Sequence, residues 1–66
     1  MESVISKYIQ TMESSGRKLY EYRILSKTGR VIFSHSVWEY PNEIDERVKT
    51  VCNSMKGGSY RIVEVS

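Results

Sequence analysis

The side chains with the chemistry to attack or protonate a substrate are few: one thiol, Cys52; one imidazole, His35; the serines beside it, Ser34 and Ser36; and the carboxylates Glu43, Asp45 and Glu46. A thiol paired with an imidazole can act as a nucleophile, but it needs an accessible, electropositive setting and a third group to orient the ring. Cys52 lies instead among Val48, Val51 and Met55 at the spacing of a helix stripe, the position of a small buried hydrophobe. Ser34 and Ser36 cannot reach His35 by adjacency in a strand, where neighbours point to opposite faces. His35 then belongs at the polar margin of a core face, hydrogen-bonded to a tyrosine or a backbone group. The three carboxylates stand where they would cap a helix, and a paired-carboxylate mechanism needs a cleft that so short a chain cannot enclose.

Cofactor and metal chemistry fare no better. Gly57-Gly58 follows a helical pattern, whereas phosphate-binding glycines precede a helix. A single cysteine excludes an intrachain disulfide, and with a single histidine it leaves a structural zinc site short of ligands. No catalytic residue, cofactor or metal is expected, and the chain reads as a binding protein rather than an enzyme.

The 66 residues make one domain, residues 1–66, and a domain of that size buries only about 60% of the surface its unfolded chain exposes. Without disulfide or metal, its stability rests on a small, well-packed core or on self-association. With 39% hydrophobic and 27% charged residues it has the composition of a folded globular domain. No uncharged run is long enough to span a bilayer and the N-terminus lacks the order of a signal peptide, so the expected home is the cytoplasm, with no membrane association. The net charge of +2 permits nucleic-acid binding without demanding it.

The elements that position these residues can be read from periodicity. In 3–15, Val4, Ile5, Tyr8, Ile9 and Met12 make one apolar stripe on a 3.6-residue period, with Ser3 as cap, Glu2 at the positive end of the dipole and Gly16 as the left-handed stop. The segments 19–25 and 31–38 are rich in tyrosine, aliphatic and β-branched residues and read as strands. A two-residue turn at Thr28-Gly29 pairs Leu25 with Ile32, Ile24 with Phe33, Tyr22 with His35 and Tyr20 with Val37. A three- or four-residue loop is the alternative, and a slip of one would exchange the faces. Pro41 ends the ribbon. A second helix follows, capped by Asn42 with Asp45 three residues on, striped by Ile44, Val48, Val51, Cys52 and Met55, paired Glu43 to Arg47 and Asp45 to Lys49, and stopped by Gly57-Gly58. Residues 60–65 alternate as a third strand, either parallel to the second or beside the first.

The expected fold is therefore α+β: a two-layer α/β sandwich of order α-β-β-α-β, with a three-stranded sheet, a hairpin of the first two strands, and both helices on one sheet face. That face carries Tyr20, Tyr22, Ile24, Val31, Phe33, His35 and Val37. The other carries Leu19, Glu21, Arg23, Leu25, Ile32, Ser34, Ser36 and Trp38; the alternative is that the first helix packs there, giving a helix on each face, but if no helix covers it, Leu19, Arg23, Leu25, Ile32 and Trp38 form a mixed apolar and arginine surface suited to a protein partner. The open sheet edge could add a strand from another chain. These features point to a small protein-binding module, a regulator or inhibitor of a larger protein or a self-associating homodimer. Chains of this size are common among accessory proteins of phages and mobile elements, an association with length alone. The alternative is a single-strand nucleic-acid binder using Arg17, Lys18, Lys27, Arg30 and Arg61 with Tyr40 as a stacking ring.

Overall fold

A computed structural model of the chain describes residues 4–65, so the capping roles expected of Glu2 and Ser3 lie outside the described residues. The elements follow in the order α1 (Val4–Ser14), β1 (Lys18–Leu25), β2 (Val31–Glu39), α2 (Ile44–Ser54) and β3 (Ser59–Glu64). The α+β order is as expected. The sheet order is β2-β1-β3, antiparallel at both pairings, so β3 lies beside β1 while running in the direction of β2.

The hairpin reaches its register by a different route from the tight turn. The Ser26 N–H donates to Arg30 O (2.7 Å) and the Gly29 N–H to Ser26 O (2.9 Å), closing a three-residue loop, Lys27-Thr28-Gly29, with Gly29 at φ 87°. A two-residue primed turn would have forced β-branched Thr28 to positive φ, whereas the longer loop puts glycine there. The extra loop residue is cancelled by a β-bulge: Leu25 pairs with Val31, not Ile32, and the next pair is Ile24 with Phe33. Tyr22 with His35 and Tyr20 with Val37 follow as expected. Val31, expected on the core face, therefore stands opposite Leu25.

Alternation along β1 builds the core. Tyr20, Tyr22 and Ile24 are buried on one face, and Ile44, Val48 and Cys52 of α2 are buried against them, with Val37, Val51, Tyr60 and Ile62 at the margin. Ile24 and Val48 are fully enclosed. Met55, expected on the α2 stripe, is left exposed at its end.

Both ends of α2 depart from the expected caps. Asn42 is not the cap: Tyr40 O accepts the N–H groups of Glu43 and Ile44 (2.9 and 3.1 Å), the backbone turns through 41–43, and the helix starts at Ile44 without a side-chain cap. Asp45 accepts the Tyr60 hydroxyl instead (3.0 Å), and Arg47 pairs with Glu39 (2.7 Å) rather than Glu43. At the other end the left-handed residue is Lys56 (φ 56°), not a glycine; Gly57 N–H donates to Cys52 O and Lys56 N–H to Asn53 O, a Schellman closure. Gly57 is needed for space. A Cβ there would lie 2.7 Å from Ile24 Cγ2 and 2.9 Å from Cys52 Sγ.

α1 does not join α2 on the core face; its contact is on the other face, the alternative placement. It has no buried residue, and its ring contact is Tyr8 edge-on to Trp38, centroids 6.4 Å apart. Trp38 pairs with Leu19 and so belongs to the opposite face. Tyr8 against Trp38 and Arg17 stacked on Tyr40 hold α1 at the Trp38 end of the sheet, away from the core face. α2, tied to β2 and β3 at its two ends, packs on that face over β1 and β3. The molecule is long, 48 × 22 × 17 Å, with a radius of gyration of 13.9 Å against about 11 Å for a compact chain of this length.

Candidate interaction surface

The outer sheet face is lined as the pairing dictates. Leu19 sits opposite Trp38, Glu21 opposite Ser36 and Val63, and Arg23 opposite Ser34 and Arg61. The expected partner-binding residues separate into two clusters: Leu19 with Trp38 at one end, both half-buried, and Leu25 with the bulged Ile32 at the other. Leu19 and Leu25 are six strand positions, about 20 Å, apart. The middle is polar, a shallow depression of about 240 Å³ lined by Glu21, Arg23, Arg61 and Val63. Arg23 is tied to Glu21 along its own strand (3.1 Å).

A second open surface is one the spacing of residues did not single out. Because α2 packs over β1 and β3, β2 is exposed along its whole run from Val31 to Ser36, core face included. Phe33 remains 38% exposed and His35 is exposed, their rings against the buried Tyr22 at 6.1 and 5.9 Å. They form an aromatic strip that lies against Tyr22 and stays exposed. The α1 stripe of Val4, Ile5, Tyr8 and Ile9 is exposed as well.

The candidate nucleic-acid contacts fall in three places. Arg17 lies over the ring of Tyr40, 4.6 Å from its centroid, and Lys18 bonds Glu64 (2.9 Å), so these three are engaged where α1 meets the sheet. Lys27 and Arg30 are exposed at the hairpin tip. Arg61 faces Arg23 across the strand, a like-charge pair that costs stability unless an anion or solvent screens it.

The chemically capable residues are not brought together. Cys52 is buried with its thiol 3.7 Å from Ser59 O, while His35 is exposed on β2 against Phe33 and Tyr22 and not hydrogen-bonded at the core margin as expected. Glu39 is held below the usual carboxylate range by the Arg47 guanidinium and by the Tyr40 N–H it accepts. Hydrogen bonding to Glu64 raises the Lys18 ammonium, and hydrogen bonding to Asp45 raises the Tyr60 phenol. Each shift is accounted for by an ion pair or hydrogen bond that ties two elements together. Among the described residues no cluster of His, Cys, Asp or Glu could hold a metal ion, and no helix is long and apolar enough to cross a membrane. No family model, curated protein or solved structure matches the chain, which leaves its own residues as the guide to its function.

Proposed function

We propose that the chain is a non-catalytic protein-binding module, a small regulator or inhibitor of a larger protein or of its own kind, that engages its partner through β2 and the sheet face beyond it. One observation carries the reading: β2 presents Val31, Ile32 and Phe33 to solvent along an unpaired sheet edge, with Trp38 at its far end. An edge strand offers unpaired N–H and C=O groups, and its apolar side chains supply the anchors that strand addition or face docking uses. The test is capture from host lysate, with sedimentation, for the wild type and for Ile32→Glu with Trp38→Ala. Both positions are at least partly solvent-exposed, so the fold survives, and loss of a captured protein or of self-association is expected. A monomer whose binding is unchanged by the pair refutes the reading.

Single-strand nucleic-acid binding is the second reading, favoured by the Arg23–Arg61 opposition and by Lys27 and Arg30 at the tip. Four phosphate contacts predict log K falling with a slope of about −3 against log salt. Salt-insensitive or absent binding to mixed-sequence oligonucleotides removes it.

A further inference from the structure

We infer that the partner of this surface is a second copy of the chain, and that the two copies exchange their first helices. In the exchanged dimer α1 of each protomer lies across the open β2 strip of the other, with Val4, Ile5 and Ile9 against Phe33, His35 and Val37. The inference rests on the reading of β2 as a docking surface and names its occupant.

Two unpartnered surfaces in one chain complement each other. The α1 stripe leaves Val4 85% and Ile5 71% exposed, on a helix with no buried residue. An isolated helix of 11 residues is marginal in water, so this one needs an apolar surface to lie on. The β2 strip, with Phe33 and His35 over Tyr22, is the part of the core face that α2 leaves bare.

The helix does not reach that strip in its own chain. Tyr8 holds it to Trp38, whose side chain is on the opposite sheet face from Phe33, and Arg17 stacked on Tyr40 fixes the turn at Gly16. Val4, Ile5 and Ile9 of the stripe are therefore left open to solvent, where a second copy can take them up.

The areas agree with a dimer. A monomer of 7.7 kDa is expected to expose about 4,300 Å². This chain exposes 5000 Å². Scaled by their exposure, with aromatic side chains worth about 150–250 Å² and aliphatic ones somewhat less, Val4, Ile5, Ile9 and Phe33 together present on the order of 350 Å² of apolar surface. A standard interface takes about 800 Å² from each partner; with His35 and Val37 added this surface is smaller and matches a weaker, concentration-dependent dimer. Two-fold exchange makes the same contact twice, so each chain both gives and receives a helix.

Sedimentation equilibrium on the wild type, Ile5→Glu and Phe33→Glu tests the inference, with far-UV circular dichroism to show that both exposed substitutions leave the fold intact. The wild type is expected to dimerise, and each variant to raise the dissociation constant by at least about 100-fold, because its lost contact occurs twice. Mixing the two variants restores one sound contact, the Phe33→Glu chain's helix on the Ile5→Glu chain's strip. The mixture should therefore associate about 10-fold more tightly than either variant alone. A helix that folds back on its own strip gives no such complementation and overturns the inference, as does a wild-type dimer indifferent to both substitutions. A wild-type monomer that still captures another protein through Ile32 and Trp38 overturns helix exchange but leaves the binding module standing. A monomer that captures nothing removes both.

Discussion

Gly57→Ala is a single-methyl probe of how α2 is seated, and its cost can be worked from the geometry. The new Cβ would meet Ile24 Cγ2 at 2.7 Å, Cys52 Sγ at 2.9 Å and Leu25 O at 3.3 Å, where carbon atoms sit comfortably at about 3.5–4.0 Å. Ile24 has 0% exposure and Cys52 5%, so neither can swing into solvent to give way. Overpacking of this kind costs about 1–3 kcal/mol, offset by about 0.4–1 kcal/mol because alanine is less free than glycine in the unfolded chain. The net loss is about 1–2 kcal/mol, a fall in Tm of roughly 7–14 °C for a chain of this size. The adjacent substitution runs the other way. Lys56→Gly removes a left-handed strain of about 1–2 kcal/mol against a glycine entropy cost of about 0.5–1 kcal/mol, so Tm should rise by roughly 4–7 °C. Thermal and urea unfolding of both variants, with Cys52→Ala alone and combined with Gly57→Ala, measures all of this. Relief of the sulfur contact should make the double mutant less destabilised than the sum of its singles by at least about 0.5 kcal/mol. An unchanged or raised midpoint for Gly57→Ala would show that α2 has room to spare over β1 and refute the packing argument.

Three further outcomes are expected from the same contacts. Glu39 is only 12% exposed and bonded to Arg47, so Glu39→Gln should lose about 1 kcal/mol at pH 7. Its folded carboxyl is held below the ordinary 4.5, so its contribution is present above that pH and lost as the pH falls through the folded value; denaturant unfolding of both proteins should converge in that acid range. Gly29→Ala, at φ 87° with open space around it, should cost about 1 kcal/mol through backbone strain alone, and an unchanged urea midpoint would count against the three-residue loop. In dilute solution the α1 amides should exchange hydrogen far faster than those of β1, because no buried side chain holds the helix down; protection that rises with protein concentration would be the mark of helix exchange.

Much of the architecture was legible where pattern and packing agree. The alternation Tyr20, Tyr22, Ile24 named the buried face of β1, and Ile44, Val48 and Cys52 named the face of α2 that meets it. Gly16 (φ 87°) stops α1 as its position suggested. Adjacency misled where a local rule had a tertiary competitor. Asn42 is a good cap by type, yet the turn begun at Tyr40 supplies the carbonyl that α2 uses. Gly57 is a good stop by type, yet it is consumed by the contact with Ile24, and Lys56 takes the left-handed position. Leu19, Leu25, Ile32 and Trp38 were grouped by face, but a face has length, and the two ends of this one are separated by Arg23, Arg61 and Glu21. The Phe33 and His35 strip went unseen because two apolar stripes suggest two helices on one face, and only α2 lies there.

The loop and the bulge have a meaning for how this chain can change in length. Residues 25–32 keep an even number between Ile24 and Phe33, made of an odd loop and an odd bulge. Parity is what assigns β2's faces, so the bulge works as a buffer for length changes: a deletion of one residue is absorbed by drawing the strand straight, and Phe33 stays opposite Ile24. An insertion of one has no such reserve and must add a second bulge or turn Phe33 outward. Variants of this hairpin should therefore tolerate a shortening by one more readily than a lengthening by one.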